Sequence, residues 1–346
     1  MFHKRQTHSR GNIAENIQLG ELYCRRGMSL LMFLTGIVFI FLYVLPGTHS
    51  WGKEGHYITC KIAEGLLSRE ASEAVKSLLP EYANGDLASV CSWPDEVSHR
   101  AGWRWSSPLH YVDTPDFRCN YDYCRDCHDF ARSRNRCVTG AIYNYSAQLS
   151  TYKNSKFTDQ YNLTEALLFL SHFVGDIHQP LHCGFLGDEG GNTIILHWYR
   201  RKSNLHHVWD TLIIETALKK YNMDLSMMIE DIRTSILEDW PSDVPAWESC
   251  GVNQTVCPNW YAAESISLAC KFVYKNASPG STLGDDYFFT RMPHVRKRLA
   301  QGGVRLAATL NRIFIGGYSL LYHLPDDIFP ECSSNTICDR ENQSAC

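Results

Sequence analysis

The stretch that most constrains this chain runs from Thr164 to His178. Ala166, Leu167, Leu168, Phe169, Leu170, Phe173 and Val174 are apolar nearly all the way round, which predicts a helix buried on every side. Yet the stretch also carries His172 and Asp176, four apart and therefore one turn apart on a single face. Pro180 cannot continue the helix, so the chain breaks and brings His182 round from outside it. The pairing returns in Asn204-Leu205-His206-His207-Val208-Trp209-Asp210, where His206 and Asp210 are again four apart. One such pair reads equally well as a core histidine satisfied by its aspartate. Two pairs with a third histidine between them read as a metal site inside a helical bundle, because burying several carboxylates without cations is costly. Nitrogen and oxygen ligands without thiolates favour zinc or manganese over an iron–sulfur cluster.

Residues 1–50 read as a secretory signal that is removed. Arg25-Arg26 precede an uncharged, mostly apolar run from Leu30 to Leu45, then Pro46-Gly47-Thr48-His49-Ser50, with cleavage expected after Ser50. The competing reading is an uncleaved anchor, since the run nearly reaches spanning length. Thirteen of the fourteen cysteines lie beyond residue 50, and acceptor sequons stand at Asn144, Asn162, Asn253, Asn276 and Asn342. Together with the signal they predict a disulfide-bonded secretory glycoprotein, destined for the extracellular space, the vacuole or the endoplasmic reticulum, with no membrane attachment after cleavage. Of 33 Lys+Arg and 37 Asp+Glu, five and two precede Trp51, leaving 28 against 35 and a balance of −7. That excludes a broadly basic nucleic-acid platform but not a phosphate substrate, because metal ions supply positive charge locally.

The mature chain would open on Trp51-Gly52-Lys53-Glu54-Gly55-His56, followed by a helix from Tyr57 to Leu67. A freed α-amine at Trp51 can bind a metal together with its own carbonyl, with His56 close by. Cys91-Ser92-Trp93-Pro94-Asp95-Glu96 and Leu109-His110-Tyr111-Val112-Asp113 come next, each compatible with a plain loop or helix start. Cys119, Cys124, Cys127 and Cys137 crowd one loop; their spacing superficially fits an iron–sulfur ligand set, but disulfides are the better use in a secreted chain. Helical periodicity returns at Leu212–Lys220, Leu225–Leu237, Ala262–Tyr274 and Tyr287–Tyr322, the last expected to break or bend at Pro293 and Gly302-Gly303. Its core stripe would be Leu299, Val304, Leu306, Leu310 and Ile313, and Arg296-Lys297-Arg298 would form a solvated face. Residues 325–346 read as a polar, removable tail.

Trp51…His56, Trp93-Pro94-Asp95, His110-Tyr111-Val112-Asp113, His172-x3-Asp176-x5-His182, Gly190-Gly191-Asn192 and His206-x3-Asp210 occur in this order. Together they resemble the S1/P1 nuclease family on its plant bifunctional side, over essentially the whole mature chain. The resemblance implies one mainly α domain over residues 51–324, a helical bundle of the S1/P1 nuclease–phospholipase C type with disulfide-stapled loops. It implies three zinc ions. Asp95, His110, His172 and Asp176 would hold one; Trp51, His56 and a shared Asp176 its neighbour; His182, His206 and Asp210 the third. The residues alone had pointed to five of these nine.

The implied reaction is hydrolysis of single-stranded DNA and RNA to 5′-phosphates, with 3′-nucleotidase activity, by water activated at the metal pair while the third ion grips phosphate oxygens. Asp113 would orient or deprotonate that water, or stand behind a ligand. Tyr111 would stack a base, which favours unpaired strands because a base must leave its stack to reach a buried site, and Asn192 would line the site or shape a turn. Also by resemblance, Cys60 pairs with Cys91, Cys119 with Cys270, Cys127 with Cys137 and Cys250 with Cys257, leaving Cys124 and Cys183 either free or joined. The protein is expected to act as a monomer without a stable protein partner. Two other readings stay open: a phospholipase C-like phosphodiesterase, against which Asp176 and Asp210 argue where that family uses a Glu, and a non-enzymatic zinc-binding glycoprotein.

Overall fold

A computed structural model describes residues 51–152, 160–251, 254–315 and 328–332; the expected signal, Asn253 and Asn342 lie outside them. The helices are α1 Lys53–Glu64, α2 Arg69–Leu78, α3 Trp93–Ser98, α4 Tyr123–Asp126, α5 Val138–Leu149, α6 Leu163–Asp176, α7 Leu205–His207, α8 Ile213–Leu218, α9 Leu225–Glu238, α10 Val244–Glu248, α11 Pro258–Leu268 and α12 Asp285–Ile315. Three short strands, β1 Ile195–Trp198, β2 Arg201–Asn204 and β3 Thr282–Leu283, make a small sheet in the order β2-β1-β3, antiparallel then parallel. The fold is therefore mainly α, as expected. Among the described residues no helix is long and apolar enough to cross a membrane.

At the centre lies α6, buried at every residue from Ala166 to Asp176. Asn162 starts it: its Oδ1 accepts from the Glu165 amide, satisfying one orphan donor of the first turn, while its Nδ2 donates to the Glu165 carboxylate at 2.7 Å. It ends at Asp176, two residues short of the expected boundary, and Pro180–Cys183 forms a separate 3₁₀ turn. Around α6 pack α5, α1, α3 and α12.

Four expectations need correction. The last helix does not break: α12 runs through Pro293 and Gly302-Gly303 without interruption. The glycines serve packing instead, since a Cβ on Gly303 would lie 2.5 Å from Ile62 Cγ2 and one on Gly302 3.1 Å from Thr59 Cγ2, both on α1. Arg298 is not on a solvated face; it is 2 % exposed and paired with Glu264 at 2.8 Å. Residues 241–258 and 277–284, which the sequence leaves as loops between its helical stretches, contain α10 with the first residue of α11, and β3. Finally, the four expected disulfides form, but Cys124 joins Cys332 rather than Cys183, which is a buried free thiol. That bond fastens residues 328–332 to the domain, and Phe329 packs on its core. Of the sequon asparagines, Asn162 and Asn276 are exposed and Asn144 is half-buried.

Candidate metal centre

Chain-distant histidines and aspartates converge in the core, and backbone contacts show why. The Cys60–Cys91 bond ties α1, which carries His56, to the segment leading into α3, which carries Asp95 in its first turn. The Cys91 carbonyl in turn accepts from His172 Nδ1 of α6 at 2.8 Å. On the other side, residues 112–114 run alongside 182–184: the Val112 amide donates to His182 O and the Thr114 amide to Gly184 O, both at 2.8 Å. His182 Nδ1 donates to His110 O at 2.7 Å, and His206 Nδ1 to Gly190 O at 2.7 Å. The Gly190-Gly191 turn has φ +60° and +85°, a left-handed run that only glycine adopts readily, and this aims that carbonyl. With Nδ1–H spent on a carbonyl, His172, His182 and His206 each turn Nε2 inward.

In the first cluster, Asp95 Oδ1, His110 Nδ1, His172 Nε2 and Asp176 Oδ2 face one another. His110 stands 3.3 Å from Asp95, 3.1 Å from Asp176 and 3.0 Å from His172. His172 stands 3.3 Å from Asp95 and 3.2 Å from Asp176. Ligands about 2.0–2.1 Å from a tetrahedral zinc are about 3.3 Å apart, so these five distances match edges of a coordination tetrahedron. Asp176 presents its other oxygen, Oδ1, to His56 Nε2 at 3.2 Å, bridging to a second group of His56, His172 and Asp176. A third group joins His182, His206 and Asp210: His206 Nε2 lies 3.2 Å from both His182 Nε2 and Asp210 Oδ2.

These residues fit cations better than they fit each other. Asp176 is fully buried and neither oxygen receives a conventional hydrogen bond. Among the described residues no lysine or arginine pairs with Asp176 or Asp210. Burial pushes Asp210 well above the ordinary carboxylate range, Gln179 opposes this, and Asp95 and Asp176 push the same way. For Asp95, burial acts upward, but His172, His110 and His56 overcome it and hold the group low. Burial and the neighbouring His172 depress His56 to about 4, while His172, despite burial, is raised to about 10 by Asp176 and Asp95. The two rings stack with centroids 3.8 Å apart. Two inward nitrogens 3.2 Å apart at His182 and His206 call for a shared cation or proton, and burial lowers His182. Three-residue cages with open positions are the form catalytic zinc sites take.

The other expected site residues lie in segments that adjoin these groups along the chain. Trp51 is buried, and the Gly52 amide donates to Asp210 O at 2.8 Å, fastening the start of α1 to the third group. Burial, then Asp188, Glu189 and Asp126, push Asp113 up to about 7. Tyr111 is half-buried, and Asn192 shapes its turn by donating from Nδ2 to Glu189 O at 2.9 Å. Sequence reasoning missed Gln179. It is fully buried, donates to Asp210 Oδ1 at 2.6 Å and accepts from the Leu181 amide at 2.6 Å. Its signal was only its place between two ligands.

Buried cages that pair imidazole with carboxylate in a helical domain can hold the ions of metal-assisted hydrolysis. The family model for S1/P1 Nuclease matches residues 51–315, so the chain belongs to the S1/P1 nuclease family and is a hydrolase, an endonuclease of that type. It is 66% identical over 279 residues to Endonuclease 4 of Arabidopsis thaliana, covering 80% of this chain and 93% of that protein. To Endonuclease 2 of the same plant it is 54% identical over 292 residues, covering 84% and 99%. Nuclease P1 of Penicillium citrinum is 30% identical over 281 residues, covering 76% and 97%.

Proposed function

We propose that this enzyme is a zinc-dependent endonuclease of the secretory pathway that cuts single-stranded DNA and RNA, leaves 5′-phosphates and also dephosphorylates 3′-nucleotides. The observation that carries the zinc reading is the set of 3.0–3.3 Å spacings among Asp95, His110, His172 and Asp176. Those four residues would hold one ion, the Trp51 amine and carbonyl with His56 and Asp176 a second, and His182, His206 and Asp210 a third. Bound zinc would supply Lewis acidity toward water and phosphate oxygens.

The chain's own groups do the rest. Carbonyls of Cys91, His110 and Gly190 fix the tautomers of His172, His182 and His206, so no imidazole has to reorient when phosphate arrives. Asp113, pushed up to about 7, can accept and release a proton at its carboxylate near neutrality. Nearby cations would bring it back toward the ordinary carboxylate range. Tyr111 would stack the base beside the scissile phosphate. The exposed Asn162 and Asn276, with Asn144 and Asn253, would carry glycans.

The test is to sequence the N-terminus of the purified protein, count its zinc, and follow single-stranded DNA cleavage and end groups before and after chelation. A Trp51 start, about three zinc ions per chain and chelator-sensitive release of 5′-phosphates are expected. Zinc without cleavage, or cleavage indifferent to chelation, would overturn the reading. An uncleaved N-terminus would remove Trp51 from the ligand set.

A further inference from the structure

The segment joining the ligands Asp95 and His110 carries a surface that the chemistry does not use. Residues 99–109 contain Arg100, Arg104 and Trp105 and no acidic residue. Trp105 is 43% exposed, and both arginines are exposed. It is nevertheless held: its ring lies 5.9 Å from Trp103 and 5.7 Å from Phe169, and ring contacts continue through Phe173 to His110. Arg136 donates to Trp105 O at 2.9 Å and pairs with Asp129, so the loop closed by Cys127–Cys137 is fastened beside it with its acid neutralised. That loop adds the exposed Arg134. Arg100, Arg104 and Arg134 make no side-chain hydrogen bond or ion pair among the described residues. From Trp105 to His110 the chain is a 3₁₀ turn, Arg104–Leu109, which puts the tryptophan only about 10 Å along the axis from a metal ligand.

A half-open aromatic ring anchored on the core, with exposed, unpaired arginines in its own segment and in the neighbouring loop, offers a single strand stacking for a base and charges for its phosphates. On a chain of net charge −4 such a concentration of free arginine stands out. We infer that Trp105, with Arg100, Arg104 and Arg134, forms a second docking site for single-stranded nucleic acid. It would grip the strand beyond the nucleotide being cut, resting as it does on the nuclease reading for its substrate. Short substrates do not reach it; long ones gain affinity from it.

The experiment compares a long oligothymidylate with a thymidine dinucleotide on the full protein, using Trp105→Ala and the double variant Arg100→Gln/Arg104→Gln. KM for the long strand should rise about tenfold for Trp105→Ala, with the dinucleotide unaffected. The double variant should flatten the dependence of log KM on log salt by about 1.4, two phosphate contacts on a single strand. Equal losses on both substrates would mark the segment as mere support for Asp95 and His110, and unchanged long-strand cleavage would show that the surface serves another partner; either overturns the inference. Anisotropy of labelled oligothymidylate with chelated protein separates the two readings if nothing is cleaved. A tenfold weaker complex in the variants would then uphold the docking site and place the failure in the chemistry, whereas equal affinity would overturn the site.

Discussion

On the three-zinc reading proposed for this enzyme, replacing Gln179 with leucine should loosen one metal and leave the others. The side chain is fully buried and links two parts of the centre, donating to Asp210 Oδ1 at 2.6 Å and accepting from the Leu181 amide at 2.6 Å. Asp210 Oδ2 faces His206 at 3.2 Å, so the Gln179 contact is what fixes which oxygen turns toward the cage. Leucine keeps the volume but removes donor and acceptor together. A hydrogen bond to a charged group is worth about 1.5–3 kcal/mol, and loss of a partner that orients a ligand costs roughly 10–100-fold in metal affinity. At about 1.4 kcal/mol per tenfold, the two estimates agree. The assay is competition with a chelator, counting zinc retained per chain as chelator is raised. One zinc should leave at roughly 10–100-fold lower chelator than in the wild type, with the remainder held. Thermal unfolding of fully chelated protein reads the separate cost of stranding the Leu181 amide, about 1–3 kcal/mol. Unchanged retention of every ion would refute the orienting role, and loss of all ions together would mean the substitution had damaged the fold.

Three further outcomes follow from the packing. Gly303→Val forces side-chain atoms against Ile62 of α1, since even its Cβ would lie 2.5 Å from Ile62 Cγ2, and should cost about 1–3 kcal/mol in urea unfolding; wild-type stability would refute the close contact. His178 is buried and neutral, donating from Nδ1 to Val174 O and accepting from Arg305 at Nε2, and burial, then Arg298 and Arg305, hold its pKa well below 6.5. The unfolded chain protonates it first, so its contribution is fully present above about 6.5 and is lost as pH falls, at up to about 1.4 kcal/mol per pH unit; His178→Gln should flatten that acid limb in the chelated protein. Burial pushes the Cys183 thiol up to about 12, so iodoacetamide at mildly alkaline pH should leave it unmodified in the native protein and label it after unfolding; rapid native labelling would contradict its burial.

What the sequence made legible was what a helix repeats. His172 with Asp176 and His206 with Asp210 announce themselves by a spacing of four, and His182 by the proline that breaks the chain before it. Trp51, His56, Asp95 and His110 carry no such mark. Each comes from a different turn or helix start, and only a disulfide, a parallel pairing and several carbonyl contacts bring them together; without the family resemblance nothing in their spacing selects them. Gln179 escaped both approaches because its role lies in contacts across the fold. Gly302-Gly303 misled in the opposite sense, since local propensity reads a break where the neighbouring helix demands a groove. The Arg298 reading failed in the same way: a run of three basic residues suggests solvent, yet on a helix the third turns inward.

That inward turn explains why α12 has to be continuous. Ile177 and His178 follow Asp176 where α6 ends, and their carbonyls face α11 and α12. Arg298 Nε donates to His178 O at 3.1 Å, Ser265 Oγ donates to Ile177 O, and Arg305 reaches the His178 ring, with Glu264 neutralising both guanidinium groups. A cation here also suits the negative end of α6. One turn past Arg298 on the same helix, Gly302 and Gly303 seat α12 against Thr59 and Ile62 of α1, just beyond His56. A single continuous element thus contacts both the helix bearing His56 and the end of the helix bearing His172 and Asp176. A break at Pro293 would leave both contacts on one surviving piece, but a break at the glycines would separate them. The same residues that would weaken an isolated helix are therefore those through which the helix holds the candidate metal-binding residues of α1 and α6 in place.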